Sequence, residues 1–239
     1  TGTLNWTGTG IMGGSGKTII TATAVLNLNT PAAQYYLRRI LQNDGATFWT
    51  AGGISMDGGR LDNNGTFTAN AATTLTCTGY NPSGIASDSD FNNAGTFLKQ
   101  GTGMASFILT SGNVRFNNSG SVDVQAGIMS FSAGGSNSGA IQFTSGTSMT
   151  FNDSYTHSGT SVLTGAGTLN LNGGNQSFPA GAQVSAGVLN LGGASVSFAT
   201  PKTFASVTFS AGTLTGAGDV TVTGTLNWTG TGIMGGSGK

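Results

Sequence analysis

Glutamate is absent from this chain, and charge of either sign is scarce. Eight aspartates face eight lysines and arginines in 239 residues, giving a formal net charge of zero. The few basic residues are scattered, so no concentrated face exists to neutralise a phosphate backbone, and nucleic-acid binding is not expected. Cysteine occurs once, at Cys77, which leaves no internal disulfide to staple the fold. Proline occurs four times. No apolar run approaches the ~18 residues of a membrane-spanning helix, which argues against membrane insertion of this segment. Scarce charge does not mean disorder here: mean hydropathy is near zero, and apolar residues alternate with polar ones along most of the chain.

What is abundant is glycine, 42 residues of it, with threonine, serine and asparagine. That mixture is poor helix material. It suits short strands joined by tight turns, where Gly and Asn accept positive φ. Glycine follows no strict every-third period, so a collagen helix is excluded.

The strongest signal is a repeat. Residues 1–17 read TGTLNWTGTGIMGGSGK, and residues 223–239 read the same, an identity over 17 positions at an offset of 222. The expected organisation is a single β-solenoid over 1–239, comprising one 222-residue unit plus a 17-residue overlap with its next copy, cut from a longer tandem polypeptide. Shorter repeats lie inside the unit. Asn63-Asn64-Gly65-Thr66-Phe67 recurs as Asn92-Asn93-Ala94-Gly95-Thr96-Phe97, and more loosely from Asn117. LTGAG at 163–167 returns at 214–218, and SAG occurs at both 185–187 and 210–212.

Between glycines the pattern has period two, as in Leu169-Asn170-Leu171, Val196-Ser197-Phe198 and Leu226-Asn227-Trp228. Such alternation marks strands with one buried face. Short strands returning every 20–30 residues fit coils stacked on one another better than the longer strands of a sandwich. The fold expected is therefore all-β, a parallel β-helix of roughly ten short-stranded rungs. Its core is expected to include Leu4, Trp6, Val25, Phe48, Phe67, Phe97, Phe107, Phe116, Val188 and Trp228. Residues 31–42, with Tyr35-Tyr36-Leu37-Arg38-Arg39-Ile40-Leu41, admit an amphipathic helix, but Asn43-Asp44-Gly45 is a turn signal and a strand or coil is preferred.

Two sets of structural residues follow. Asn63, Asn92 and Asn117 are expected to stack as a corner ladder, since amides can hydrogen-bond along a rod and Asn tolerates a corner backbone. Leu4, Trp6, Ile11 and Met12, with their copies Leu226, Trp228, Ile233 and Met234, are expected to form the repeat junction by which one unit stacks on the next.

Sites of chemistry are sparse. The stretch Gly10 to Thr18 superficially resembles a phosphate-binding loop, but its spacing misses by one and a β-forming run follows instead of a helix. Asp88-Ser89-Asp90 offers oxygens for a hard cation, with a solvated loop as the plainer reading. Asp57, Asp62 and Arg60 form the densest charged group, read as surface salt bridges. His157, near Asp153 and Tyr155, has no identifiable nucleophile and is read as a surface residue. No catalytic residue, metal or cofactor is assigned, and the chain is not expected to be an enzyme.

The stretch GTLTGAGDVTVTGTLNW at 212–228, the Asn-Asn-x-Gly-Thr-Phe segments and GAGTLNL at 165–171 resemble β-solenoid repeats of large bacterial surface and secreted proteins, the filamentous adhesins and autotransporter passengers. The resemblance implies a structural role outside the cell, as a module of an extracellular fibre, sheath or giant adhesin whose partner is further copies of itself. The alternative is a carbohydrate-binding or carbohydrate-cleaving β-helix. There Tyr35, Tyr36, Tyr80 and Tyr155 would stack on surface glycans.

Overall fold

The computed structural model describes residues 2–79, 88–110 and 112–239. Tyr80 and residues 82–84 of the expected loop lie outside them. Among the described residues the chain is entirely strand and turn, wound into a three-sided parallel β-solenoid. The first turn lays Thr3–Asn5 on a first face, Ile11–Met12 on a second and Lys17–Ile20 on a third. The next turn repeats this with Val25–Leu28, Gln34–Leu37 and Ile40–Asn43. Through the first seven turns each strand pairs in parallel, in register, with the third strand after it: Leu4 with Leu26, Tyr36 with Ser55, Leu41 with Leu61. From Val188 the strands lengthen and bend around corners, Val188–Phe198 covering the second and third faces and Lys202–Gly216 all three. Eleven turns result, the last made by 220–222, 225–228 and Ile233–Met234.

Alternation sends every second side chain inward, so register pairs become columns through the core. On the second face the column runs Cys77, Phe107, Phe131, Phe151, Leu171, Leu191, Phe209. Rings from adjacent faces and from successive turns of one face meet edge-on or stacked, as in Phe107–Phe116 at 4.7 Å between centroids and Trp49–Phe67 at 6.2 Å. Burying such rings supplies about 1.5–3 kcal/mol each, with a further contribution from ring geometry. Cys77 is fully buried in this column, and burial raises its thiol pKa.

Alternation also corrects three expected core positions. Phe48 is 43% exposed, because its neighbours Thr47 and Trp49 point inward in register with Phe67 and Ala69. The small Ala69 leaves room for the indole, whose Nε1 donates to the Gly52 carbonyl at 3.0 Å. Val25 and Val188 likewise face outward, half-buried, while Leu26, Leu28, Leu189 and Leu191 fill the core. The 31–42 segment forms two ordinary strands, with Tyr35, Leu37 and Leu41 buried. Lys17 opens a strand, and no helix follows the glycines before it.

Candidate functional site

The corners between the third and first faces carry the most regular chemistry in the molecule. Asn43, Asn63, Asn93, Asn118 and Asn137 end successive third-face strands and are buried. Each of the first four amides donates through Nδ2 to the next Oδ1 along the rod, at 2.7, 2.6, 2.7 and 2.8 Å. The same Nδ2 also donates to the carbonyl that opens the first-face strand after the next asparagine: Thr66, Thr96, Ser121 and Ala140. The backbone repeats as well. The two residues after Asn63 donate their N–H groups to the Asn43 carbonyl, and the pattern recurs at Asn63 and Asn93. The second of those residues must be glycine. A Cβ on Gly65, Gly95, Gly120 or Gly139 would fall 2.1–2.2 Å from the carbonyl of the glycine one turn before.

The expected ladder through Asn63, Asn92 and Asn117 is therefore two columns. Thr66 pairs with Thr96 and Phe67 with Phe97, which sets Asn63 against Asn93 and Asp62 against Asn92. Asn92 and Asn117 belong to a neighbouring, outward column, in which Asn92 donates to Asp62 at 2.9 Å and Asn117 to Asn92 at 3.0 Å. The first asparagines of the motifs are thus offset by one residue from the register of the strands. A discriminating signal was present: Asn-x-Gly followed by a small residue occurs at Asn43, Asn63, Asn93, Asn118 and Asn137, always with two residues between the Asn and the next strand.

Below Asn137 the column passes to His157, which is buried rather than at the surface. Its ring stacks on Phe178 at 4.3 Å, and its Nε2 lies 3.2 Å from Gln176 Oε1. The Gln176 amide nitrogen donates to the Asp153 and Gly173 carbonyls, so its oxygen must accept, and His157 Nε2 carries the proton. Nδ1 is then a bare, buried acceptor with no partner. Burial lowers the imidazole pKa to about 4, against a smaller opposing effect of the Gln176 bond. The ring is neutral at physiological pH.

Lys99 occupies an inward position between Ala69 and Val124 and is almost wholly buried. Its ammonium turns to the corner and donates to the carbonyls of Gln100, Gly101 and Ala126 at 2.8, 2.8 and 3.0 Å, so all three donors are used. Burial lowers its pKa to about 8. Lys99→Met keeps the stem but leaves three carbonyls without that donor. Stability is expected to fall by about 1–3 kcal/mol, read as a lower urea midpoint with unchanged slope.

Three arginines and four aspartates are engaged with one another. Arg115 holds Asp90 through two nitrogens at 2.8 and 3.2 Å and reaches Asp88 at 3.3 Å. Arg60 pairs with Asp62 at 2.9 Å and Arg38 with Asp57 at 3.1 Å. Among the described residues no three His, Cys or Asp gather as metal ligands. Of the tyrosines named for sugar stacking, Tyr35 and Tyr155 are buried. The Tyr155 hydroxyl donates to the Phe116 carbonyl at 2.7 Å across Gly135.

The duplicated segment appears twice, from opposite sides. In the first copy Thr3, Leu4 and Asn5 pair with Val25, Leu26 and Asn27 of the turn after. In the second, Thr225, Leu226, Asn227 and Trp228 pair with 206–209 of the turn before. Met12 pairs with Leu37, and Met234 with Leu214. Trp6 lies 5.4 Å from Tyr35, whereas Trp228 stacks on Phe209 at 5.6 Å. Trp6 is 9% exposed and Trp228 49%. Leu226 and Met234, with Val207, Leu214 and Val220, line an apolar cavity of about 130 Å³ at that end. Ile11 and Ile233 face outward in both copies, so of the expected junction residues they set register without filling the core. No family model, curated protein or solved structure matches the chain.

Proposed function

We propose that this chain is a structural module of a tandem-repeat rod, part of an extracellular bacterial fibre, sheath or giant adhesin that lengthens by stacking further copies of the same solenoid. One observation carries the reading: a single 17-residue sequence has its partners on the following turn in one copy and on the preceding turn in the other, both in register. Laid over each other, the two copies become one interior rung with neighbours on both sides. Phe209, the tryptophan and Tyr35 then line up through the joint. The low charge, the interior given to packing and the engagement of the described charged pairs suit a scaffold better than a catalyst. The extracellular setting rests on the likeness to bacterial surface repeats. The carbohydrate reading draws no support from Tyr35 and Tyr155, which are covered.

A chain extended by one further 222-residue unit tests this. At ~4.8 Å per turn the present rod is about 50 Å long, and the extended one is expected at about 100 Å by small-angle scattering, as a single straight particle. Two compact bodies joined by a thread would overturn the reading.

A further inference from the structure

Resting on the tandem reading, we propose that successive repeats are turned by one face, a third of a revolution, about the rod axis. The duplicated segment lies on different faces at its two occurrences. Thr3–Asn5 is on the first face. Its copy at 225–227 continues the column of Thr168–Leu171, 188–191 and 206–209, which is the second face and begins with Ile11–Met12. Ile11–Met12 is on the second face, and its copy Ile233–Met234 continues the third-face column that begins with Lys17–Ile20. Lys17 is on the third face, and the carbonyl of its copy Lys239 accepts the Val220 N–H on the first. Three segments agree. The unit of 222 residues is therefore ten full turns and one face, not a whole number of turns.

The faces tolerate the exchange because they offer the segment equivalent seats. The leucine meets an aliphatic column on both: Leu26 on the first face and Val207 on the second. The outward asparagine meets a polar column on both, Asn27 on the first face and Thr208, next to Asn190, on the second. Asn27 donates to Asn5 at 2.8 Å on the first face, and Asn190 donates to Asn170 at 2.8 Å in the column that leads to Asn227 on the second.

The consequence is an interaction surface with no single side. A patch confined to one face of a repeat, such as the Arg60, Asp62, Asp90 and Arg115 cluster, moves to the next face in each following repeat. It returns to its starting side only after three repeats, about 150 Å at ~4.8 Å per turn. A second copy of the rod packing through that patch therefore finds it on all three sides in turn, which favours bundles over flat sheets.

Two measurements test the phase. In the present chain, spin labels on Thr208→Cys with Asn227→Cys sit on adjacent turns of the second face, and strong dipolar broadening is expected. Labels too far apart to broaden would overturn the assignment. In a six-repeat chain carrying Phe48→Cys, maleimide-gold labels only the exposed site, since Cys77 is buried. Tomography is expected to show gold every ~50 Å along the axis, stepping through three directions. Gold along one side of a continuous rod would overturn the phase and leave the tandem reading standing. Absence of a continuous rod would overturn the tandem reading itself.

Discussion

Replacing Asn93 by leucine is expected to destabilise the fold by about 2–4 kcal/mol, although leucine has nearly the same volume and the site is buried. Asn93 accepts from Asn63 at 2.6 Å and donates to Asn118 Oδ1 and the Ser121 carbonyl at 2.7 and 2.9 Å. Leucine leaves the Asn118 oxygen and the Ser121 carbonyl without that donor in a place water reaches poorly. It also deprives the Asn63 amide of one of its two acceptors. The neighbouring Asn92→Leu acts on the half-exposed outer column, where water substitutes for the lost amide. A loss under about 1 kcal/mol is expected there. Thermal melts of the two variants side by side check the contrast. Equal losses would show that the inner column has no special part in stability.

Acidification is expected to weaken the fold through His157. Its pKa is lowered from 6.5 in the unfolded chain to about 4 in the fold. Between those values the unfolded state binds the extra proton and the native state does not. The stabilising contribution is therefore whole above pH 6.5 and is lost as pH falls toward 4. A shift of that size corresponds to about 3 kcal/mol at most. Urea denaturation at a series of pH values should show the slope, and His157→Asn should remove most of it. The slope between pH 6.5 and 5, above the ordinary carboxylate range, is the discriminating part. A variant that keeps the full slope there would refute the assignment to His157.

Much of the architecture is legible in residues alone. Period-two alternation, glycine at short intervals and the absence of helix-forming composition together dictate short stacked strands. The Asn-x-Gly spacing is equally visible, yet Asn-Asn pairs occur at 63–64, 92–93 and 117–118, and sequence similarity does not say which member turns inward. Register decides that, and the close approach of successive glycine carbonyls sets the register. The burial of His157 is hidden in the sequence for a similar reason. It stands where an Asn-x-Gly corner would place its asparagine, followed by Ser158 and Gly159, but residue type argued for the surface more strongly than position argued for the ladder.

Sequence by itself determined that this protein is β-structured, repetitive and poor in the residues that cluster into catalytic sites, and that one 17-residue segment recurs at an offset of 222. It could not determine where that recurrence falls around the rod. Turn length varies from 18 residues, Lys202 to Val220, to 30, Thr66 to Thr96, because corners absorb insertions while the paired segments stay in register. Counting residues therefore cannot count turns. Only the hydrogen-bonded pairing from turn to turn shows that the second copy has moved on by one face.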